Sequence, residues 1–322
     1  MTLSTASLRR LLGRVVWCPP RAAFHPTMVI PKDQKTYPLY SWNSSSPSRT
    51  PLYITDHNVA NKFLSALPHG TIGFDLEWKP GSNPVALVQL ATANCVLLLH
   101  IYRMKEIPHK IRDVLSGSRW TKVGVNIQYD CKKLHEDYGL DVRNCVNLSL
   151  MARSVDNARW NGSYIQPIGL AKLLQTYHGT TLCKEEQLSN WELPLSPTQQ
   201  HYAANDAHSA YTIYTRLQTI AQTKIPPPHP NCYSFSCVDG QLYDRTNCFT
   251  WAPKNPNYDP DPPPSPKDQD PENDQSPWEA ASPAPTIADT TASLAGLLAS
   301  ALKGILSLFF FSFLFFFFFL MD

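Results

Sequence analysis

The sequence predicts a mixed α/β sheet with helices on its faces, set between two unstructured tails. Three observations carry that expectation. Apolar, strand-like runs follow one another closely at 71–78, 85–92 and 95–102. Helical and strand-like patterns then alternate from residue 105 onward. Prolines and single-sign charge collect towards the two ends. A meander of three strands followed by alternating helix and strand is the pattern of a sheet with helices packed on it.

Folded signal begins near Pro51. The runs at 71–78, 85–92 and 95–102 are joined by short turns containing Gly81, Asn83 and Asn94. A helix is expected at 105–115, a strand at 122–127 and a helix at 130–138. Helical patterns return at 170–177 and 196–222. Pro226, Pro227, Pro228 and Pro230 then stop any helix, so the folded domain is expected to span 51–225.

The 322-residue chain is 43% apolar and 17% charged, a globular balance, but its 29 prolines are too many for a uniformly folded protein of that length. Residues 1–32 carry Arg9, Arg10, Arg14, Arg21 and Lys32 with no acid, whereas 255–292 carry eight acids against Lys267 alone. The net charge of +2 is a sum of these opposed tails, and no basic stripe marks the centre. The eight cysteines are scattered, several within apolar runs, which excludes a disulfide-stapled secreted scaffold and fits reduced thiols.

Residues 1–50 read as a disordered segment. Within 1–30, Leu8, Leu11, Leu12 and Val15 share a helical face opposite Arg10 and Arg14, the pattern of a mitochondrial presequence; an acid-free tail is the plainer reading. Residues 226–293 read as a Pro/Asp-rich disordered linker. In 294–322 the only charges are Lys303 and Asp322, and the apolar stretch 304–321 could cross roughly 27 Å of a bilayer core of about 30 Å. Two readings stand for this tail: a membrane anchor, or a translated polypyrimidine tract, since 306–320 contains only Leu, Ser and Phe. The expected compartment is mitochondrial or nuclear, with anchoring through that tail.

Three groups of acids carry the chemistry. In Phe74-Asp75-Leu76-Glu77-Trp78, strand alternation points Asp75 and Glu77 to one face. Two acids converging from a buried strand repel each other unless a cation or a proton intervenes, which is what a hard divalent ion requires. Asp130 follows Asn126 and Tyr129 at a strand-to-helix turn. Tyr202 and Asp206 stand one turn apart on the last helix and share a face. Alone, each has a plain reading: strand-end acids, an N-cap aspartate, and a buried tyrosine with an aspartate one turn on.

Together the three segments resemble the motifs of the DEDD 3′→5′ exonucleases, which have a ribonuclease H-like fold. Asp75-x-Glu77 matches the first motif, Asn126-x-x-Tyr129-Asp130 the second and Tyr202-x-x-x-Asp206 the third. Val85-Ala86-Leu87-Val88-Gln89-Leu90, Ser189-Asn190-Trp191 and Pro194-Leu195-Ser196 agree as well, and are most similar to the branch holding the Werner syndrome exonuclease and ribonuclease D. The resemblance covers roughly 51–222. His201 occupies the position of the base in the histidine subclass, but the Tyr-Ala-Ala-x-Asp-Ala phrase belongs to the tyrosine subclass. Tyr202 is therefore expected at the site, with His201 a solvent-facing neighbour.

The resemblance implies a five-stranded mixed sheet and two Mg²⁺ or Mn²⁺ ions held by Asp75, Glu77, Asp130 and Asp206, with Asp75 bridging. It implies that Tyr202 orients the attacking water, that Asn126 and Tyr129 hold the terminal nucleotide, and that Leu76 and Trp78 pack near it. Core packing accounts for Leu76 and Trp78 equally well. The implied reaction removes nucleoside 5′-monophosphates from a nucleic acid with a free 3′ end, DNA favoured over RNA, because the helical accessory pattern usual in ribonuclease D proteins is not seen. The alternative is a catalytically silent module binding nucleic acid or a partner. Unpaired thiols are expected over a zinc site at His229, Cys232, Cys237 and Cys248. Lys184, Arg153 and Arg159 are expected as solvated surface charge.

Overall fold

Asp56 starts the first helix by accepting hydrogen bonds from the amides of Asn58 and Val59, and the elements that follow are set by equally local signals. The structure, a computed structural model, describes residues 36–262 apart from 45, 47, 247 and 248. In chain order these form β1 (Leu52–Ile54), α1 (His57–Ser65), β2 (Gly70–Glu77), β3 (Leu87–Ala91) and β4 (Val96–Leu99). Next come α2 (His109–Ser116), β5 (Trp120–Gly124), α3 (Ile127–Tyr138), β6 (Val142–Asn147) and α4 (Leu148–Val155). The last are α5 (Leu170–Tyr177), α6 (Pro197–Gln222), β7 (Ser234–Val238) and β8 (Gln241–Tyr243). Residues up to Asn157 together with Gly162–Pro260 make one compact unit, which holds all of these elements. Of the described residues, Ala158–Asn161, Asp261 and Pro262 fall in a second unit.

One sheet runs through the first unit in the order β1-β4-β3-β2-β5-β6-β7-β8. At its centre β4, β3 and β2 are antiparallel neighbours, and β2, β5 and β6 are parallel. This is the mixed sheet the sequence predicts, on a ribonuclease H-like plan. It has eight strands rather than five because β1 adds to one edge and β7 and β8 to the other. The central strands β3 and β4 are buried along their whole length, the mark of strands covered on both faces. Each fully buried Leu or Val in them contributes about 1.5–3 kcal/mol.

The longest helix, α6, crosses this sheet. Ser196 caps it, its hydroxyl accepting from the Gln199 amide while the Gln199 side chain accepts from Ser196 N, and Pro197 fills the first helical position. Its buried face is built from Ala203, Ala204, Ala207 and Ala210 with Ile213 and Leu217, so small side chains let the helix lie close to the strands.

Three expectations are corrected. The segment preceding residue 51 is packed where it is described: Tyr40 and Trp42 are buried, the Tyr40 hydroxyl meets His208 Nδ1 at 2.6 Å and Thr212 Oγ1 at 2.8 Å, and Trp42 N donates to Asn205 Oδ1 at 2.9 Å. The span from 226 is not all linker, since β7 pairs with β6 and buries Phe235 and Cys237, and Trp251 stacks on Phe235 at 4.7 Å. Alternation of Ser234, Ser236 and Val238 with those apolar residues is the strand signal beyond the proline cluster. The expected membrane anchoring is not supported: among the described residues no helix is long and apolar enough to cross a membrane. The presequence pattern, the rest of the linker from 263 and the apolar tail 294–322 lie outside the described residues.

Candidate active site

The site is made possible by a glycine. Along β2, Ile72, Phe74 and Leu76 face one side of the sheet, and Gly73, Asp75 and Glu77 the other. A Cβ at Gly73 would stand 1.9 Å from the Ala207 carbonyl oxygen of α6. Only glycine allows the helix backbone to come so close, and Asp206 is the residue before Ala207. Asp75, Glu77 and Asp206 consequently offer carboxylate oxygens that all lie within 4.8 Å of one another. This is the one such group of His, Cys, Asp or Glu among the described residues, and no comparable group forms at His229, Cys232 and Cys237. Cys232 and Cys237 are buried free thiols, and Cys248 lies outside the described residues.

Asp130 comes from α3, which follows β5, the parallel neighbour of β2. Gly124 ends β5 where a Cβ would meet the Phe74 carbonyl at 2.8 Å, and Asn126 turns the chain in the left-handed region, φ 56°. Asn126, not Asp130, occupies the N-cap position of α3, so the N-cap reading of Asp130 is excluded. Asp130 sits in the first turn of the helix, where the macrodipole favours an acid, and it lies near enough to Asp75 to feel its charge.

The electrostatics follow from that crowding. Burial pushes the Asp75 carboxyl up to about 7. Burial first, and then the charges of Asp75 and Asp206, raise Glu77 well above the usual carboxylate range. Asp130 and Asp206 are raised likewise, by burial and then by Asp75. Four acids so placed cannot all ionise near neutral pH without positive charge among them. Two influences oppose the rise at Asp206: a hydrogen bond from the Tyr202 hydroxyl and the charge of Lys184. Tyr202 packs against Trp191 at 5.9 Å between ring centroids, and its hydroxyl is held firmly protonated by burial and by Asp206 and Glu77. His201 points to solvent, so of the two neighbours the helix turns Tyr202 to the acids.

A cavity of about 460 Å³ opens beside the acids, lined by Asp75, Tyr202 and Asp206 at one end and by Lys172, Gln175 and Lys184 further out. Lys184 lines this cavity and is exposed, so it is solvated charge as expected, placed at the site. Arg153 is not surface charge: it is buried and donates to the Gln166 carbonyl and the Tyr258 hydroxyl. Asn126 is half-buried and Tyr129 is 67% exposed, both at the turn that carries Asp130. Trp78 lies at the strand exit with the Lys133 ammonium 5.1 Å from its ring centre. Leu76 does not reach the site. It is 3% exposed, and alternation places it on the face of β2 away from Asp75 and Glu77, in the core.

Sequence reasoning passed over Gly73, Lys172 and Gln175. A glycine inside an apolar strand was the available signal for Gly73, because it marks close approach of another backbone. Nothing local distinguishes Lys172 or Gln175 from an ordinary helix surface.

Residues 51–222 match the family model described as 3′-5′ exonuclease. A Drosophila melanogaster exonuclease 3′-5′ domain-containing protein 2 is 39% identical over 160 residues, 48% of this chain and 26% of that protein. An Arabidopsis thaliana 3′-5′ exonuclease is 33% identical over 159 residues, 46% of this chain and 53% of that protein. The mouse bifunctional 3′-5′ exonuclease/ATP-dependent helicase WRN is 30% identical over 161 residues, 47% of this chain and 11% of that protein. The match thus spans about half or less of each of these relatives. Among solved structures, the Aedes aegypti Nibbler EXO domain aligns with TM-score 0.48 and 25% identity, over 54% of this chain and 89% of that one.

Proposed function

Because the chain belongs to the 3′-5′ exonuclease domain family, we propose that it hydrolyses nucleic-acid phosphodiesters from the 3′ end and releases nucleoside 5′-monophosphates. DNA is preferred over RNA in this reading, the order the sequence resemblance implies. The observation that carries the proposal is the group Asp75, Glu77 and Asp206, whose carboxylate oxygens lie within 4.8 Å of one another, with Asp130 near enough to Asp75 to feel its charge.

These four acids fit Mg²⁺ or Mn²⁺: every donor is a hard oxygen, and the weakened acidity of the set expresses an unmet need for cationic charge. Two divalent ions would be held by Asp75, Glu77, Asp130 and Asp206. Bound there, they would supply Lewis acidity to the scissile phosphate and acidify a water. The rest is done by the chain itself. Tyr202 keeps its proton, donates to Asp206 and presents its oxygen to orient the incoming water. Lys184 places positive charge on the cavity wall beside Asp206, where a phosphate would enter. Asn126 and Tyr129 hold the terminal nucleotide from the turn that carries Asp130.

The test is a degradation ladder. The full chain is incubated with 5′-labelled single-stranded DNA and, separately, RNA, in Mg²⁺ or Mn²⁺, with Asp75→Ala beside it. A metal-dependent ladder shortening from the 3′ end, absent in the variant and faster on DNA, is the expected result. Faster shortening of RNA would reverse the substrate preference. No shortening of either polymer with either metal would make this a silent binding module.

A further inference from the structure

The roles proposed for Asp75, Glu77, Asp130, Asp206 and Tyr202 leave one buried polar side chain at the site without a purpose. Gln89 lies on β3 in register with Asp75 on β2, so it shares the sheet face that carries Asp75 and Glu77. It is wholly buried, in a strand whose other residues, Leu87, Val88, Leu90 and Ala91, are all apolar and buried. Its amide stands close enough to Glu77 to draw that acid downwards. Yet among the described residues neither its Nε2 nor its Oε1 has a partner in full hydrogen-bond geometry. Leaving a buried amide unpaired is costly, whereas an apolar side chain of the same length would fill the space without that cost. Packing explains why position 89 is occupied by a long side chain. It does not explain why the side chain carries an amide.

We infer that Gln89 is a positioning residue for Glu77: its Nε2–H donates to the Glu77 carboxylate when that group is ionised against a divalent cation, and so fixes the direction in which Glu77 presents its oxygens. The inference rests on the reading of the acids as a cation site. Carboxylates that ligate metals are oriented by hydrogen bonds from behind, and losing such a partner typically weakens metal affinity by 10- to 100-fold.

The experiment compares full-length wild type, Gln89→Met and Glu77→Gln by calorimetric titration with Mn²⁺ and by thermal melting in EDTA. Methionine keeps the length and removes both unpaired atoms. The expected result is a Gln89→Met protein that melts at or above the wild-type temperature in EDTA but binds Mn²⁺ at least about tenfold more weakly. A purely structural role for Gln89 would lower the melting temperature and leave Mn²⁺ affinity unchanged. Wild-type Mn²⁺ affinity in Gln89→Met overturns the inference and leaves the cation site standing. Failure of the wild type itself to bind Mn²⁺ overturns the cation site and the inference with it. Should Gln89→Met not fold, the wild type with ¹⁵N-labelled glutamine decides. The buried side-chain NH₂ pair must shift along the Mg²⁺ binding isotherm, and a pair that stays still overturns the assignment.

Discussion

At the scale of single residues, the site stores charge repulsion that the fold tolerates for its chemistry. The Asp75 carboxyl is raised from an ordinary 3.8 to about 7, so the folded state favours its protonated form. The stability this group contributes is complete below about pH 4 and is lost as the pH rises to about 7. Asp75→Asn should therefore raise the Tm of the metal-free protein at pH 8, and the gain should vanish at pH 4. Saturating Mg²⁺ should raise the Tm of the wild type and not that of the variant; thermal melts at both pH values with EDTA or Mg²⁺ check this. Tyr202 and His201 are separable in the same way. Tyr202→Phe should lower kcat by about 100-fold or more with little change in KM, and His201→Ala should change neither by more than about twofold, as read from initial rates on a labelled oligonucleotide. The convergence of Asp75 and Glu77 was legible from strand alternation and that of Tyr202 and Asp206 from helix spacing, whereas the choice of Tyr202 over His201 rested on the family resemblance. Of the two readings open for Leu76, packing near the terminal nucleotide or in the core, its burial and a strand's period of two favour the core.

At the scale of elements, the decisive contact is α6 on β2. Gly73→Ala would drive a methyl group into the Ala207 carbonyl, and the helix must move or the strand must bend. The variant should lose about 1–3 kcal/mol in urea unfolding, and its Mn²⁺ titration should weaken as well, because Asp206 rides on the displaced helix. A matching loss of stability with unchanged Mn²⁺ affinity would show that the close approach does not set the acid geometry. The long elements could be read from the sequence: α5 matches its expected span and α6 starts at its expected cap. The helix expected from 105 begins at His109, since Pro108 holds extended backbone before it. The strand expected to run to 127 stops at Gly124, where the left-handed Asn126 turns the chain into α3. The elements β1, β6 and α4 are short and give too few periods for a pattern to show.

At the scale of the whole molecule, the sheet reaches beyond the span that matches the exonuclease family. The edge of β6 is covered by β7, the Tyr164 hydroxyl donates to the Cys232 carbonyl, and Trp251 Nε1 donates to the Asn231 carbonyl at 2.6 Å. We propose on this basis that the folding unit extends from the segment around Tyr40 to beyond Trp251. A chain ending at residue 225 would expose the β6 edge and the Phe235 side of the core. It should melt roughly 10 °C below the full chain or be recovered insoluble, as circular dichroism and sedimentation would register. The proline cluster at 226–230 hid this in the sequence, because a helix stop resembles a domain end until the strand after it is paired. The central claim, that the buried acids run a 3′-terminal hydrolysis, is tested most directly by the identity of the first product. A 3′-end-labelled single strand is incubated with the full chain and Mn²⁺, and the label is compared with nucleoside 5′-monophosphate standards, alongside EDTA and Asp206→Asn. The account predicts that the label leaves as a nucleoside 5′-monophosphate from the earliest time point, and only with metal and Asp206 both present. Label released in an oligonucleotide, or release that persists in EDTA or in Asp206→Asn, would contradict it.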